Sequence, residues 1–130
     1  MDANLKAQWV AALRSGEYDQ GHGALKLKWR GVKGQRSFYC CLGVLCDLID
    51  PDGWDDNLWT HADADPVHNE GYSSSYALLP FSLVEKVGFT QDGQLPEVTD
   101  RSGFRMTLAA LNDSGDFTFS QIADIVENQF

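Results

Sequence analysis

The sequence lacks a hydrophobic run long enough to cross a membrane. Its longest apolar stretch lies within Ser37–Asp50 and covers about 10 residues, whereas a membrane-spanning helix needs about 20. The first residues, Met1 to Lys6, do not begin the long apolar segment of a secretory leader, so no signal peptide is expected. Both absences predict a soluble protein without a membrane partner.

Cysteines are few and odd in number. All three fall inside the apolar stretch, at Cys40, Cys41 and Cys46, which is not the arrangement of a disulfide framework. We expect buried, reduced thiols in an intracellular protein. A nucleophilic cysteine would need a lowered pKa and a neighbouring base, whereas apolar surroundings raise the pKa of a thiol.

Basic residues are scarce over most of the chain, and none occurs between Arg36 and Lys86. Residues 1–36 hold seven Lys/Arg against three Asp/Glu, and residues 37–130 hold three against sixteen, giving net charges of +4 and −13 and a total of −9. Such an acidic surface argues against nonspecific nucleic-acid binding and against adhesion to anionic membranes. The asymmetry indicates a partner or ligand, or else a surface that only confers solubility.

Catalytic motifs are also missing. The chain has no phosphate-binding glycine loop, no Ser-His-Asp order and no His-Glu-x-x-His. Four possible ligands of a divalent ion do occur within eight residues, at His61, Asp63, Asp65 and His68. Their pattern is not that of an EF-hand, and a solvated acidic loop is the simpler interpretation. Neither a metal nor another cofactor is therefore predicted.

Periodicity predicts an α+β fold. Apolar residues recur at helical spacing in Asn4–Gly16, and Ala24–Arg30 alternates apolar and basic residues, with Leu25, Leu27 and Trp29 on the face expected to be buried. Gly31–Gly34 would turn this strand back into Arg36–Cys40, forming a β-hairpin with a basic outer surface. Further helices are predicted from Cys41 up to Pro51, at Phe81–Val87, at Phe104–Asn112 and after the capping-box sequence Thr118–Gln121. We therefore expect one domain, residues 1–130, with a small, mainly antiparallel sheet and four to five short helices.

Two local features carry more specific expectations. Gly43 lies inside the predicted cysteine helix, where glycine costs up to about 1 kcal/mol relative to alanine, so another backbone should approach it closely. Between Phe89 and Thr99, the Asp92-Gly93 turn signal predicts two short strands that pair with each other.

The basic hairpin is the candidate ligand site. The cations expected on one side of it are Lys26, Lys28, Arg30, Lys33 and Arg36. Cations that pair with phosphate and rings that stack on a base are what an anionic nucleotide requires. The predicted contacts are Trp29, Arg30, Arg36 and Tyr39, with Arg101 and Arg105 as a second phosphate clamp. The alternative is a solvated strand face that docks against acidic residues of the same chain.

Several segments resemble a family of small uncharacterised proteins of tailed bacteriophages. They are Gly16–Leu25 (Gly-Glu-Tyr-x-Gln-Gly-x-Gly-x-Leu), Tyr39–Leu48 (Tyr-Cys-Cys-Leu-Gly-Val-Leu-Cys-Asp-Leu), Leu79-Pro80, and Leu108–Gly115 (Leu-Ala-x-Leu-Asn-Asp-x-Gly) followed by Phe119–Glu127. The resemblance spans most of the chain and brings no catalytic residues with it. It implies a small accessory protein made in the cytoplasm of a host bacterium, a class that often counters host defence.

Three functions follow as hypotheses. The leading one is an anti-defence protein, expected to be a homo-oligomer, that binds and sequesters a nucleotide-type immune signal without turnover. The second is an acidic inhibitor of a host nucleic-acid-binding or defence protein, which would use the residues Asp50, Asp52, Asp55, Asp56, Asp63 and Asp65. The third is a metal- or cysteine-dependent nucleotide hydrolase.

Overall fold

The computed structural model of the protein describes residues 1–31, 34–55, 60–61, 79, 81–89 and 96–130. These residues form five α-helices and three small sheets, so the predicted α+β class is confirmed. None of the helices in the described ranges combines the length and the apolar character that a membrane crossing requires.

The first and last helices pack against each other. α1 (Ala3–Arg14) carries the predicted apolar stripe and is followed by Gly16, whose φ is +76°. α5 (Phe119–Gln129) begins with the predicted capping box, in which Thr118 and Gln121 each accept a hydrogen bond from the other's backbone amide. The buried faces of both helices belong to one hydrophobic core.

α2 (Cys41–Ile49) is the centre of that core, and all of its residues as far as Cys46 are buried. Gly43 lies against the backbone of Leu25, and a Cβ atom at Gly43 would overlap the Leu25 carbonyl oxygen. The expected close approach of another backbone is therefore confirmed. Glycine is required here because the two backbones leave no room for a side chain.

Two shorter helices complete the helical part. α3 (Phe81–Val87) has the predicted bounds and is followed by Gly88 at φ +71°. α4 (Leu108–Asp113) begins four residues later than predicted, because the hydroxyl of Thr107 caps it by accepting from the Ala110 amide. Much of the segment that precedes α4, which was predicted to be helical, is a strand.

Three small sheets lie around the helices. β1 (Asp19–Gln20) pairs in parallel with β3 (Gly34–Tyr39), and β3 pairs antiparallel with β2 (Lys26–Gly31), which confirms the predicted hairpin. β4 (Trp54–Asp55) pairs antiparallel with β5 (Thr60–His61).

The third sheet contains a strand that was predicted to be part of a helix. β6 (Glu97–Thr99) pairs antiparallel with β7 (Arg105–Thr107), which lies inside the predicted helix Phe104–Asn112. The physical reason is the turn at residues 100–104, where the Asp100 carboxylate accepts hydrogen bonds from the amides of Ser102 and Phe104. The Asp92-Gly93 turn, and the strand predicted to pair across it, lie outside the described residues.

Candidate functional site

The register of the β2–β3 hairpin divides the predicted contacts between two faces. Trp29 is opposite Arg36, and Lys26 is opposite Tyr39. Directly opposed positions share a face of the sheet, and successive positions along a strand alternate between faces. Arg36 and Tyr39 therefore belong to different faces, and so do the positions of Trp29 and Arg30. The expectation of one basic side that includes both Lys26 and Arg36 is wrong.

On one face of the sheet, Tyr39 packs with two other aromatic residues, Tyr18 and Trp54. Lys26 and Asp47 lie beside these three rings. The Tyr39 ring has Tyr18 edge-on at 5.0 Å and Trp54 at 6.1 Å between centroids, and the Lys26 ammonium lies 5.4 Å from its centroid. The Tyr18 hydroxyl and the Trp54 indole donate to the two Asp47 oxygens at 2.7 and 2.9 Å. Burial, together with the bond to Asp47, raises the pKa of Tyr18. A base stacking on Tyr39 would have to displace one of these neighbours.

On the opposite face of the sheet, Arg36 interacts with other side chains of the same chain. Its guanidinium is 3.0 Å from the Asp19 carboxylate and lies over the Phe38 ring at 5.3 Å. This is the docking against an acid of the same chain that the sequence left open as the alternative. The pair is exposed, and exposed ion pairs contribute about 1 kcal/mol or less, so a phosphate could compete for this arginine.

The same register corrects the expected burial of β2. Leu27, which is opposite Phe38, is 37% exposed and does not lie in the core as predicted. The buried contact with the core is made by Leu25, two residues before Leu27. The Leu25 carbonyl accepts a hydrogen bond from the Cys40 amide, and its backbone lies against Gly43. Among the described residues, the hairpin therefore meets the helical core next to its end, at Leu25 and Cys40.

The structure separates the two arginines of the predicted second clamp. Arg105 forms an ion pair, because its Nε lies 2.5 Å from a carboxylate oxygen of Glu97. Arg101 lies in the turn of the β6–β7 hairpin, with its guanidinium carbon 5.3 Å from the centroid of the Phe117 ring. Among the described residues Arg101 makes no ion pair. Among the predicted arginine contacts whose side chains the structure describes, Arg101 is therefore the one whose charge is most available to a ligand.

Arg101 lines a cleft of about 290 Å³ between the β6–β7 hairpin and α5. Its lining residues are Thr99, Asp100, Arg101, Phe117, Gln121, Asp124, Ile125, Asn128 and Gln129. We call it the Arg101 cleft. Its volume is at the lower end of the range of small-molecule sites, about 300–1,000 Å³, so it suits a small ligand.

Hydrogen bonds hold both walls of the Arg101 cleft in place. In the turn, one oxygen of Asp100 accepts from the Ser102 amide, the Ser102 hydroxyl and the Phe104 amide, and Gly103 supplies a φ of +88°. These bonds lower the pKa of Asp100. At the end of α5, the Gln129 side chain accepts from the Thr99 amide and donates to the Thr99 carbonyl, at 2.8 and 2.7 Å. The cleft is therefore preorganised around a fixed hairpin turn.

The cysteines have the structural role that was predicted. All three are free and buried. Burial raises the pKa of Cys40 to about 12, and it raises the pKa values of Cys41 and Cys46 as well. A thiol that stays protonated at neutral pH is a poor nucleophile, so these residues do not support a cysteine-dependent hydrolase.

The other predicted sites fall mostly outside the described residues. Within the part of the chain that the structure describes, no group of three or more His, Cys, Asp or Glu side chains could hold a metal ion. His61 of the predicted metal cluster and Asp55 of the predicted acidic surface lie in β5 and β4. The remaining members of the metal cluster (Asp63, Asp65 and His68) and Asp56, Asp63 and Asp65 of the acidic surface lie outside that part. Of that surface, Asp50 is half-buried and Asp52 is exposed.

A buried asparagine, which the sequence did not single out, joins three of the segments that carry the family resemblance. The Asn112 side-chain oxygen accepts from the Gln20 amide group and from the Cys41 backbone amide, at 3.0 and 3.3 Å. Its nitrogen donates to the Gly21 carbonyl and to Asp113, at 2.8 and 3.1 Å. Asp113 in turn accepts from the Gly23 amide. These motif residues therefore have a structural explanation that requires no ligand.

The fold and the Arg101 cleft together define a small α+β protein with a preorganised cleft on its surface. Residues 1–130 match the family described as a domain of unknown function (DUF8296), and the chain belongs to that family. No curated protein and no solved structure matches the chain. The resemblance to tailed-phage proteins stays a prediction.

Proposed function

We propose that the protein binds a small anionic ligand of nucleotide type in the Arg101 cleft and holds it without turnover. The observation that carries this proposal is the Arg101 guanidinium, which lies over the Phe117 ring and lacks an ion pair among the described residues. A planar guanidinium donates two parallel hydrogen bonds to a phosphate. The adjacent Phe117 and Ile125 side chains offer apolar surface to a base or sugar.

Binding is favoured over turnover by what the cleft contains. The described residues that line it include no histidine, serine or cysteine, and the lowered pKa of Asp100 makes this carboxylate a weak general base. The amide side chains of Gln121 and Asn128 are suited to hydrogen bonding with a base edge or with ribose. These groups recognise a ligand but do not form a nucleophile–base pair.

The resemblance to phage proteins supplies the biological setting of the proposal. In that setting the protein is an anti-defence factor in the host cytoplasm that lowers the concentration of a nucleotide immune signal by sequestering it. The net charge of −9 supports a small ligand over a nucleic acid, because a long polyanion would be repelled by the rest of the surface. A preorganised cleft also binds without a large ordering cost.

The proposal is tested by a ligand panel with recovery of the bound molecule. Purified protein is mixed separately with AMP, cyclic di- and trinucleotides and ADP-ribose, and melting temperatures are compared with that of the free protein. The complex that melts highest is then denatured and the released compound is identified by mass spectrometry. We expect a higher melting temperature and release of the intact compound.

Two arginine variants of one hairpin locate the site. Arg101→Ala should abolish the ligand-dependent rise in melting temperature, whereas Arg105→Ala should retain it, because Arg105 pairs with Glu97 and does not line the cleft. A compound released in cleaved form would contradict binding without turnover. Absence of a shift with every member of the panel would contradict nucleotide binding, and equal losses in both variants would contradict the Arg101 cleft.

A further inference from the structure

The charged groups that line the Arg101 cleft determine which nucleotides can bind there. This inference rests on the proposed function. Arg101, a cation without an ion pair among the described residues, shares the cleft lining with two carboxylates, Asp100 and Asp124. Asp124 shares Arg14 with Glu127, at 2.6 and 2.8 Å, so that cation is already divided between two acids. The cleft therefore has a cation for one anionic group and none for a second.

Hydrogen-bonding groups in the cleft indicate what the rest of the ligand contains. One oxygen of Asp100 and one of Asp124 accept bonds within the protein, while the second oxygen of each accepts none from the described residues. The Asn128 nitrogen donates to the Asp124 carbonyl, which leaves the Asn128 side-chain oxygen as a further acceptor. Three acceptors close to a single cation suit a ligand that has hydroxyl or amino donors beside one acidic group.

We infer that the Arg101 cleft selects nucleotides with a single phosphate, such as a nucleoside monophosphate, over nucleotides with two or three. The phosphate pairs with Arg101, and the ribose hydroxyls or the base amino group donate to the free carboxylate and amide oxygens. A second phosphate would lie beside Asp100 or Asp124, where like charges repel it. The small cleft volume of about 290 Å³ also favours a nucleotide with one phosphate over a larger one.

The test compares adenosine, AMP and ATP by equilibrium titration at fixed ionic strength, with EDTA present so that no Mg²⁺ masks the phosphate charge. We expect AMP to bind most tightly, with adenosine roughly tenfold weaker because it lacks the partner of Arg101. We expect ATP to bind about tenfold more weakly than AMP because of repulsion by the two carboxylates.

A carboxylate variant isolates the cause of the selection. Asp124→Asn removes one repelling charge and should reduce the AMP-over-ATP preference about threefold or more, whereas Arg14 keeps its bond to Glu127. Asp116→Asn is the matched control, since it changes the net charge equally at an exposed position outside the cleft lining. Melting temperatures of both variants confirm folding.

The outcomes separate this inference from the proposed function. ATP binding as tight as AMP, or tighter, would overturn the selection for one phosphate and leave nucleotide binding intact. Equal effects of the two asparagine variants would overturn the role of Asp124. Absence of binding by all three compounds, alongside a negative ligand panel, would overturn the proposed function itself.

Discussion

Asn112 shows how much of this fold depends on single polar residues inside the core. It is fully buried, and its side chain makes four hydrogen bonds. Three of them connect α4 with the segment around β1 and with the start of α2, and the fourth joins Asp113 in α4 itself. A buried amide with all of its groups satisfied fixes the relative positions of the elements it connects. The sequence could not reveal this role, because partners 71 to 92 positions away leave no local pattern around Asn112.

Replacing Asn112 by leucine should destabilise the protein strongly. The change removes all four bonds and leaves the Cys41 amide and the Gly21 carbonyl without their partner, at a cost of roughly 1–3 kcal/mol for each buried group. Urea unfolding should show a loss of about 3 kcal/mol or more. Asn4→Leu on the exposed face of α1 is the control and should change stability by less than about 0.5 kcal/mol. Equal effects at both positions would contradict the assigned role.

Gly43 is a residue whose environment was predictable from sequence alone. A glycine inside an apolar helix requires a reason, and the backbone of Leu25 provides it. Gly43→Ala should therefore destabilise the protein by about 1–3 kcal/mol in urea unfolding, although alanine is the better helix former. A gain of stability, as expected for an unconstrained helix glycine, would show that the two backbones are not in close contact.

At the level of elements, prediction succeeded where a local signal sets the boundary and failed where a distant partner does. The capping box of α5 is contained in four consecutive residues, and it was recognised. β7 has only three residues, too few for a period of two to be visible, and its partner β6 is reached through the Asp100 turn. The exposure of Leu27 was also missed, because alternation defines two faces of a strand without saying which one is buried.

The capping box itself can be tested within one helical turn. Thr118→Ala removes the side-chain acceptor of the Gln121 amide and should lower the free energy of unfolding by about 1 kcal/mol. Ser120→Ala, in the same turn and exposed, should change it by less than about 0.5 kcal/mol. Identical values for the two variants would mean that the cap does not stabilise α5.

For the whole molecule, the periodicity of apolar residues was sufficient to predict the fold class, and the number and apolar surroundings of the cysteines were sufficient to predict their state. Neither signal located the candidate site. A site built from a hairpin turn and from residues 16 or more positions further along the chain depends on tertiary packing, which no local sequence pattern shows. The basic, aromatic hairpin was therefore predicted to be the site instead. Arg101 was named from the scarcity of cations in the acidic part of the chain. Its contact with the Phe117 ring and the cleft that it lines could be identified only from the structure.

Stability should fall at alkaline pH because of the buried thiols. Unfolded cysteines lose their proton at about pH 8.5, whereas burial raises the pKa of Cys40 to about 12 in the folded protein. Below pH 8.5 both states hold the proton and the stabilisation is complete. At higher pH the folded state binds more protons than the unfolded state, so the free energy of unfolding declines by roughly 1.4 kcal/mol per pH unit for each such thiol.

Urea unfolding at pH 7, 9 and 10 measures this decline. Cys46→Ala removes one of the three thiols with a raised pKa and should reduce the slope above pH 9. A free energy of unfolding that is independent of pH over this range would contradict the burial of the cysteines.

The central claim is that the Arg101 cleft, and not the β2–β3 hairpin, binds the ligand. Calorimetric titration of the wild type, Arg101→Ala and Arg36→Ala with AMP tests it most directly, because both arginines are exposed and lie in different hairpins. We expect Arg101→Ala to weaken AMP binding at least about tenfold and Arg36→Ala to leave it within about twofold. Loss of binding in Arg36→Ala with retention in Arg101→Ala would contradict the claim and return the site to the hairpin.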